Sequence, residues 1–127
     1  MPKCLTEDAI AQYRSTGFFC PVPLLSETEV AALRSKLETF ENEQGHPLEG
    51  GQRSQAHLLF PWLDDLIRHP RILDAVEDLI GPDLLCWGTI FWIKEPGSAS
   101  YVGWHQDFEY WGLDDDRLVS VWIALSP

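Results

Sequence analysis

Two kinds of apolar pattern follow one another along the chain. Up to Ile80 the apolar positions recur at three- and four-residue steps, the period of one helix face; from Leu84 onward the sequence is instead rich in β-branched and aromatic residues. Thr6, followed by Glu7 and Asp8, predicts the capped start of a short helix that Gly17 stops. Phe18, Phe19, Cys20 and Val22 read as a short strand. Ser26 and Glu29 form an S-x-x-E capping box that opens a helix over Glu27 to Glu43, with Val30, Leu33, Leu37 and Phe40 on one stripe and Gly45 and Pro47 beyond its end. Leu48 to Gln55 reads as a polar loop and Trp62 to Arg68 as a short helix. Pro70 suits the first turn of the next helix, whose buried face is Ile72, Leu73, Val76, Leu79 and Ile80, and Gly81-Pro82 ends it.

Leu84 to Ile93, Tyr101 to Phe108 and Leu118 to Leu125 then read as three strands, broken by Pro96-Gly97-Ser98 and by a loop with Gly112 and Asp114 to Asp116. Helices first and strands after predict an α+β class rather than alternating βαβ units. The expected organisation is a single domain over 1–127, mainly helical in 1–82 and stranded in 83–127. The last strand carries Val119, Val121, Trp122, Ile123 and Leu125, and Ser126-Pro127 follows at once. An apolar face on so few strands implies either a covering partner chain or the front part of a longer protein.

Composition narrows the function classes. Hydrophobic residues make up 45% and charged residues 23% of 127 residues, an ordinary globular balance for one small domain. Twenty acidic against nine basic residues give a net charge of −11, which disfavours nucleic acid and anionic membrane surfaces as partners. Cys4, Cys20 and Cys86 make an odd count without a C-x-x-C, which suits a reducing compartment, with Cys86 expected as an inert core thiol. With no leader-like or spanning apolar run, a cytoplasmic location is expected.

The candidate chemistry lies in Gly103-Trp104-His105-Gln106-Asp107-Phe108. On a strand, residues two apart share a face, so His105 and Asp107 are expected to aim an imidazole and a carboxylate at one point. Two histidines and one carboxylate on one face hold iron(II) in non-haem oxygenases and leave positions open for cosubstrate and dioxygen. An isolated H-x-D is a weak signal, and a hydrogen-bonded surface pair is the plain alternative. Trp104, Phe108, Tyr110 and Trp111 are expected to enclose the pair in aromatic surface and keep water from it.

Lys94-Glu95-Pro96-Gly97, Trp104-His105-Gln106-Asp107, Tyr110-Trp111-Gly112-Leu113 and Val119 to Leu125 follow one another in an order that resembles the phytanoyl-CoA dioxygenase family. Leu5 to Asp8, Gly17-Phe18, His69 to Leu73 and Gly81-Pro82-Asp83 are similar to it too. The resemblance implies a double-stranded β-helix (a jelly roll, cupin-like), here incomplete, with the N-terminal helices packed on it. It implies iron(II) and 2-oxoglutarate as cofactors and hydroxylation of a small-molecule substrate. His105 and Asp107 fall on the first two ligand positions, Trp122 on an aromatic position of the 2-oxoglutarate pocket and Lys94 on a basic position. The family's second histidine and its 2-oxoglutarate arginine lie beyond the position of Pro127, so the chain by itself is expected to be inactive.

Other residues offer less. His46, His57 and His69 precede the strands and read as structural, His57 being the least implausible substitute ligand. Glu109 shares the face of the pair only if the strand continues. Asp114 to Asp116 lack the spacing of a calcium loop, and Arg117 beside them is expected to be occupied by them. Two rival readings stay open: a truncated, non-catalytic remnant or partner-binding β-domain, and a related halogenase, which the carboxylate of Asp107 disfavours. Neither substrate identity nor oligomeric state is legible.

Overall fold

The structure, a computed structural model, describes residues 1–126. Five helices occur in it: α1 (Glu7–Thr16), α2 (Glu27–Gln44), α3 (Pro61–Ile67), α4 (Pro70–Ile80) and the single turn α5 (Phe108–Trp111), with 3-10 turns at Gly50–Arg53 and Ala56–Leu58. None of the helices among the described residues is long and apolar enough to cross a membrane.

Local chemistry sets the helix ends. The Thr6 hydroxyl accepts from the Ala9 N–H, and Ser26 and Glu29 close the full reciprocal capping box at the start of α2. Gly45 ends α2 at φ 80, where a side chain would strain the left-handed backbone, and its N–H returns to the Glu41 carbonyl at 2.9 Å. Proline opens both α3 and α4.

Two apolar clusters hold these helices. In the first, Leu37 of α2 meets Leu48, Ala56, Phe60 and Leu63, with Phe40, Trp62, Phe91 and Ile93 packed around them. Phe40 and Phe60 meet edge to face at 4.8 Å between ring centroids. Leu48 is fully buried although it lies in the segment expected as a polar loop. Its N–H donates to Glu41 Oε1 at 2.8 Å and its carbonyl accepts from Arg53 Nε at 2.7 Å, so its backbone is satisfied while its side chain fills the core. The second cluster joins Leu5, Ala9 and Ile10 to Ala75 of α4, flanked by Phe19, Val22, Leu24 and Leu79.

Carboxylates tie distant segments to α4. Asp78 accepts the backbone N–H groups of Lys3, Cys4 and Leu5 at 2.7–2.8 Å, while Lys3 Nζ reaches Glu77 at 2.7 Å. Partial desolvation pulls the Asp78 carboxyl upward, but the three N–H donors together outweigh it and leave its pKa lowered. Glu29 serves twice, capping α2 and pairing with Arg71 of α4 at 2.7 Å. The Ser26 N–H and hydroxyl, with Arg71 after them, hold its pKa down at about 2 against a smaller desolvation.

The expected α+β class, with helices on an incomplete jelly roll, is overturned. No strand or sheet forms among the described residues, and one isolated antiparallel bridge, Ser54 to Ile90, is the extent of β pairing. Phe18 to Val22, Leu84 to Ile93, Tyr101 to Phe108 and Leu118 to Leu125 are not strands. A strand needs a neighbour for its hydrogen bonds, and these segments do not pair with one another. Leu84 to Ile93 docks instead on the loop before α3: the Phe91 N–H donates to the Arg53 carbonyl at 2.9 Å, and Gln55 Nε2 to the Trp87 carbonyl at 3.3 Å. Cys86 is exposed there, which corrects its expected place in the core. Many large apolar side chains of this half stay in water, with Tyr101 at 87% and Trp122 at 78% exposure.

Leu48→Ala should lower unfolding stability by roughly 2–5 kcal/mol, the range for emptying a fully buried leucine site, measured by denaturant titration. Both Asp78 and Glu29 are more acidic folded than unfolded, from ordinary values of 3.8 and 4.5. The stability they contribute is therefore complete above those values and lost as pH falls, through about 2 for Glu29. Asp78→Asn should melt below the parent chain at neutral pH, and the gap in Tm should narrow as pH drops below ~4. A gap that stays constant from neutral pH to pH 3 contradicts the anchor.

Candidate metal centre

The segment that carries His105 begins after a turn closed by the Ser98 N–H on the Glu95 carbonyl at 3.1 Å. It runs as irregular chain, with a bend at Trp104, as far as Gln106, then turns into α5. Asp107 already has helical dihedrals (φ −57, ψ −37), and its carbonyl accepts the Tyr110 N–H at 3.0 Å. Gly112 ends the turn at φ 63, in the left-handed region that favours glycine.

His105 and Asp107 are brought together, by a different route from the one expected. The alternation of a strand does not operate here, because the segment is not a strand and Asp107 already has helical dihedrals. His105 Nε2 stands 3.1 Å from Asp107 Oδ1 at the entry to α5. Both side chains are about one-third exposed, 34% and 32%. Glu109 lies within α5, so the face it would have shared with the pair on a continuing strand does not form.

The imidazole has a defined tautomer. Its Nδ1 lies 2.8 Å from the Gly103 carbonyl oxygen, which only accepts, so Nδ1 carries the proton. In neutral His105 the Nε2 lone pair then faces a carboxylate oxygen, and only a proton or another cation can fill that space. The Gly103 carbonyl does most to raise the His105 pKa; desolvation opposes it, and the Asp107 carboxylate adds smaller upward pulls. The donor set suits a first-row divalent metal on two counts. Bonds of about 2.1 Å at right angles set their donor atoms about 3 Å apart, and a metal-bound histidine usually gives its other N–H to a carbonyl or carboxylate. Among the described residues no group of three histidine, cysteine, aspartate or glutamate side chains converges on one point.

Sequence reasoning missed Ser120, whose hydroxyl donates to Asp107 Oδ2, the oxygen turned away from His105. The available signal was a hydroxyl inside the apolar run Val119 to Leu125, where a polar group needs a partner.

The expected aromatic enclosure does not form. Trp104 is wholly exposed and Tyr110 largely so, although the Tyr110 ring meets His105 edge-on at 5.8 Å. Trp111 stacks on Trp87 at 6.3 Å and pins α5 to the segment before it. Lys94 and Trp122 both lie exposed, and no hydrogen bond or ring contact joins either to the pair among the described residues. Arg117 is clamped by Asp115, its Nε 3.0 Å from both carboxylate oxygens; the guanidinium and then the Arg117 N–H hold the Asp115 pKa at about 2.

The other histidines are placed elsewhere. His57 is fixed to Thr89, whose hydroxyl oxygen lies 2.9 Å from Nδ1 and accepts the His57 N–H at 3.0 Å. His46 contacts the Pro47 carbonyl through Nδ1 at 2.9 Å. His69 precedes α4 without a side-chain capping bond, and its buried Nδ1 has no hydrogen-bond partner among the described residues.

A family model described as phytanoyl-CoA dioxygenase matches residues 13–127. The chain is 28% identical over 122 residues to the ectoine dioxygenase of Bordetella parapertussis, an alignment covering 87% of this chain and 40% of that protein. It is 27% identical over 116 residues to the L-proline trans-4-hydroxylase of Streptomyces griseoviridis, covering 85% and 43%. A probable alpha-ketoglutarate-dependent hypophosphite dioxygenase of Stutzerimonas stutzeri matches at 28% over 87 residues, covering 68% and 30%. The chain thus spans less than half the length of each of these relatives. No solved structure matches it significantly.

The tether between His57 and Thr89 can be separated from the candidate metal pair. Thr89→Val keeps the side-chain shape and leaves the two His57 groups without their partner, so it should cost about 1–3 kcal/mol in thermal or denaturant unfolding. Manganese(II) binding at His105 should be unaltered. A loss of metal binding in Thr89→Val without a loss of stability would instead bring His57 into the site.

Proposed function

Because the chain belongs to the phytanoyl-CoA dioxygenase family, we propose that it carries two ligands, His105 and Asp107, of an iron(II)- and 2-oxoglutarate-dependent dioxygenase that hydroxylates a small molecule. The observation that carries this reading is the convergence of Nε2 and Oδ1 at 3.1 Å on the H-x-D motif, with Nδ1 already committed to a backbone carbonyl.

In this reading His105 offers the Nε2 lone pair and Asp107 one carboxylate oxygen. Held by these two residues, iron(II) would supply the activation of dioxygen, with 2-oxoglutarate as the source of electrons. The protein's own contribution is positional. Gly103 fixes the imidazole tautomer, Ser120 holds the far carboxylate oxygen, and the α5 turn, seated by the Trp87–Trp111 stack, sets where Asp107 stands. Lys94 and Trp122 are proposed to contact 2-oxoglutarate. The charge and the aromatic ring suit an anionic, planar α-keto acid, and both side chains are free to meet it.

The facial set needs a third ligand that the described residues do not supply. The arginines Arg34, Arg68, Arg71 and Arg117 are each paired with a carboxylate, which leaves none of those four to fork onto the far end of the cosubstrate.

The test is metal titration and turnover by the 127-residue chain. Iron(II), or manganese(II) in its place, should bind weakly, and His105→Ala should weaken it by a further ~10-fold or more. No succinate should form with iron(II), ascorbate and 2-oxoglutarate. Tight stoichiometric binding, or succinate release, contradicts the two-ligand reading; binding that His105→Ala leaves unchanged contradicts the site.

A further inference from the structure

We propose that Ser120 is a positioning residue that holds Asp107 as a one-oxygen metal ligand; this rests on the metal-site reading above. The two carboxylate oxygens of Asp107 have different neighbours. Oδ1 lies 3.1 Å from Nε2 of His105, and Oδ2 accepts the Ser120 hydroxyl. A carboxylate only accepts, so the hydroxyl is the donor.

The contact crosses 13 residues, and the intervening turn is built to return the chain. Gly112 ends α5 in the left-handed conformation. Asp115 then takes both the Arg117 backbone N–H, at 2.9 Å, and its guanidinium, and the Leu118 N–H closes on the Asp116 carbonyl at 2.8 Å. The acidic loop thereby acquires a role: it folds the chain back so that Ser120 reaches Asp107.

The consequence lies in coordination number. A carboxylate that binds through both oxygens occupies two positions on the metal, whereas one whose second oxygen is held by a hydroxyl occupies one. Facial-triad chemistry depends on positions left open, so a donor on Oδ2 preserves them. The same bond stops rotation about the carboxylate and keeps Oδ1 on the side of His105.

The decisive comparison is Ser120→Thr against Ser120→Val, two side chains of one shape that differ by the hydroxyl. Manganese(II) affinity of the 127-residue chain is read from paramagnetic broadening of the His105 ring protons, which reports weak binding, and far-UV circular dichroism checks that each variant is folded. Ser120→Val should raise the Kd by about tenfold or more, while Ser120→Thr should stay within about twofold of the parent. Asp107→Ala should abolish the broadening. If Ser120→Val and Ser120→Thr bind alike, the positioning role is refuted whatever their common affinity. If Asp107→Ala leaves the parent broadening intact, the metal-site reading itself falls.

Discussion

Backbone hydrogen-bond closure is the constraint on which the rest of this structure depends. In a helix each N–H meets a carbonyl four residues back, so an element completes itself; an extended segment must find its partner elsewhere in the chain. Within the helices between Glu7 and Ile80 the chain closes its bonds locally, and they pack through Leu37, Phe60, Leu63 and Ala75 into two small clusters. Beyond Pro82 local closure is confined to turns and α5. The longer reach succeeds where Arg53 to His57 meet Trp87 to Phe91, with Phe91 and Ile93 carried into the first cluster.

That division also governs where the apolar surface lies. Trp104, Trp122 and Tyr101 belong to segments whose backbones lack a neighbour to fix their pleat, so no buried face is defined for them. The candidate metal pair sits in this half, on an irregular run and a single helical turn. Its order derives from the short-range contacts of His105 with Gly103 and of Tyr110 with Asp107, together with the Ser120 hydroxyl on Asp107 and the Trp87–Trp111 stack, rather than from a core beneath it.

The same physics sorts what was legible in the sequence. Thr6 with Ala9, Ser26 with Glu29, and Gly45 act over three or four residues, so the helix ends could be read from a short window. His105 and Asp107 could be paired because they lie two apart, although they meet at the entry to α5 where strand alternation was expected. Leu48 gave no signal, since a core residue in an irregular loop has no period. Asp78 with Lys3 to Leu5, and Ser120 with Asp107, are separated by 73–75 and 13 residues, and no local pattern announces such bonds. The strands were misread because β-branched and aromatic composition reports fitness for a sheet, while the sheet itself requires partners.

The stack of Trp87 on Trp111 has an optical consequence. Two indoles 6.3 Å apart and inclined by 25° share their excited states, so their transitions couple and leave a paired signature in circular dichroism that separated rings do not give. One ring belongs to the docked segment and the other to the turn that begins at Asp107. The chain therefore carries an unlabelled gauge, read with polarised light, of whether α5 is seated.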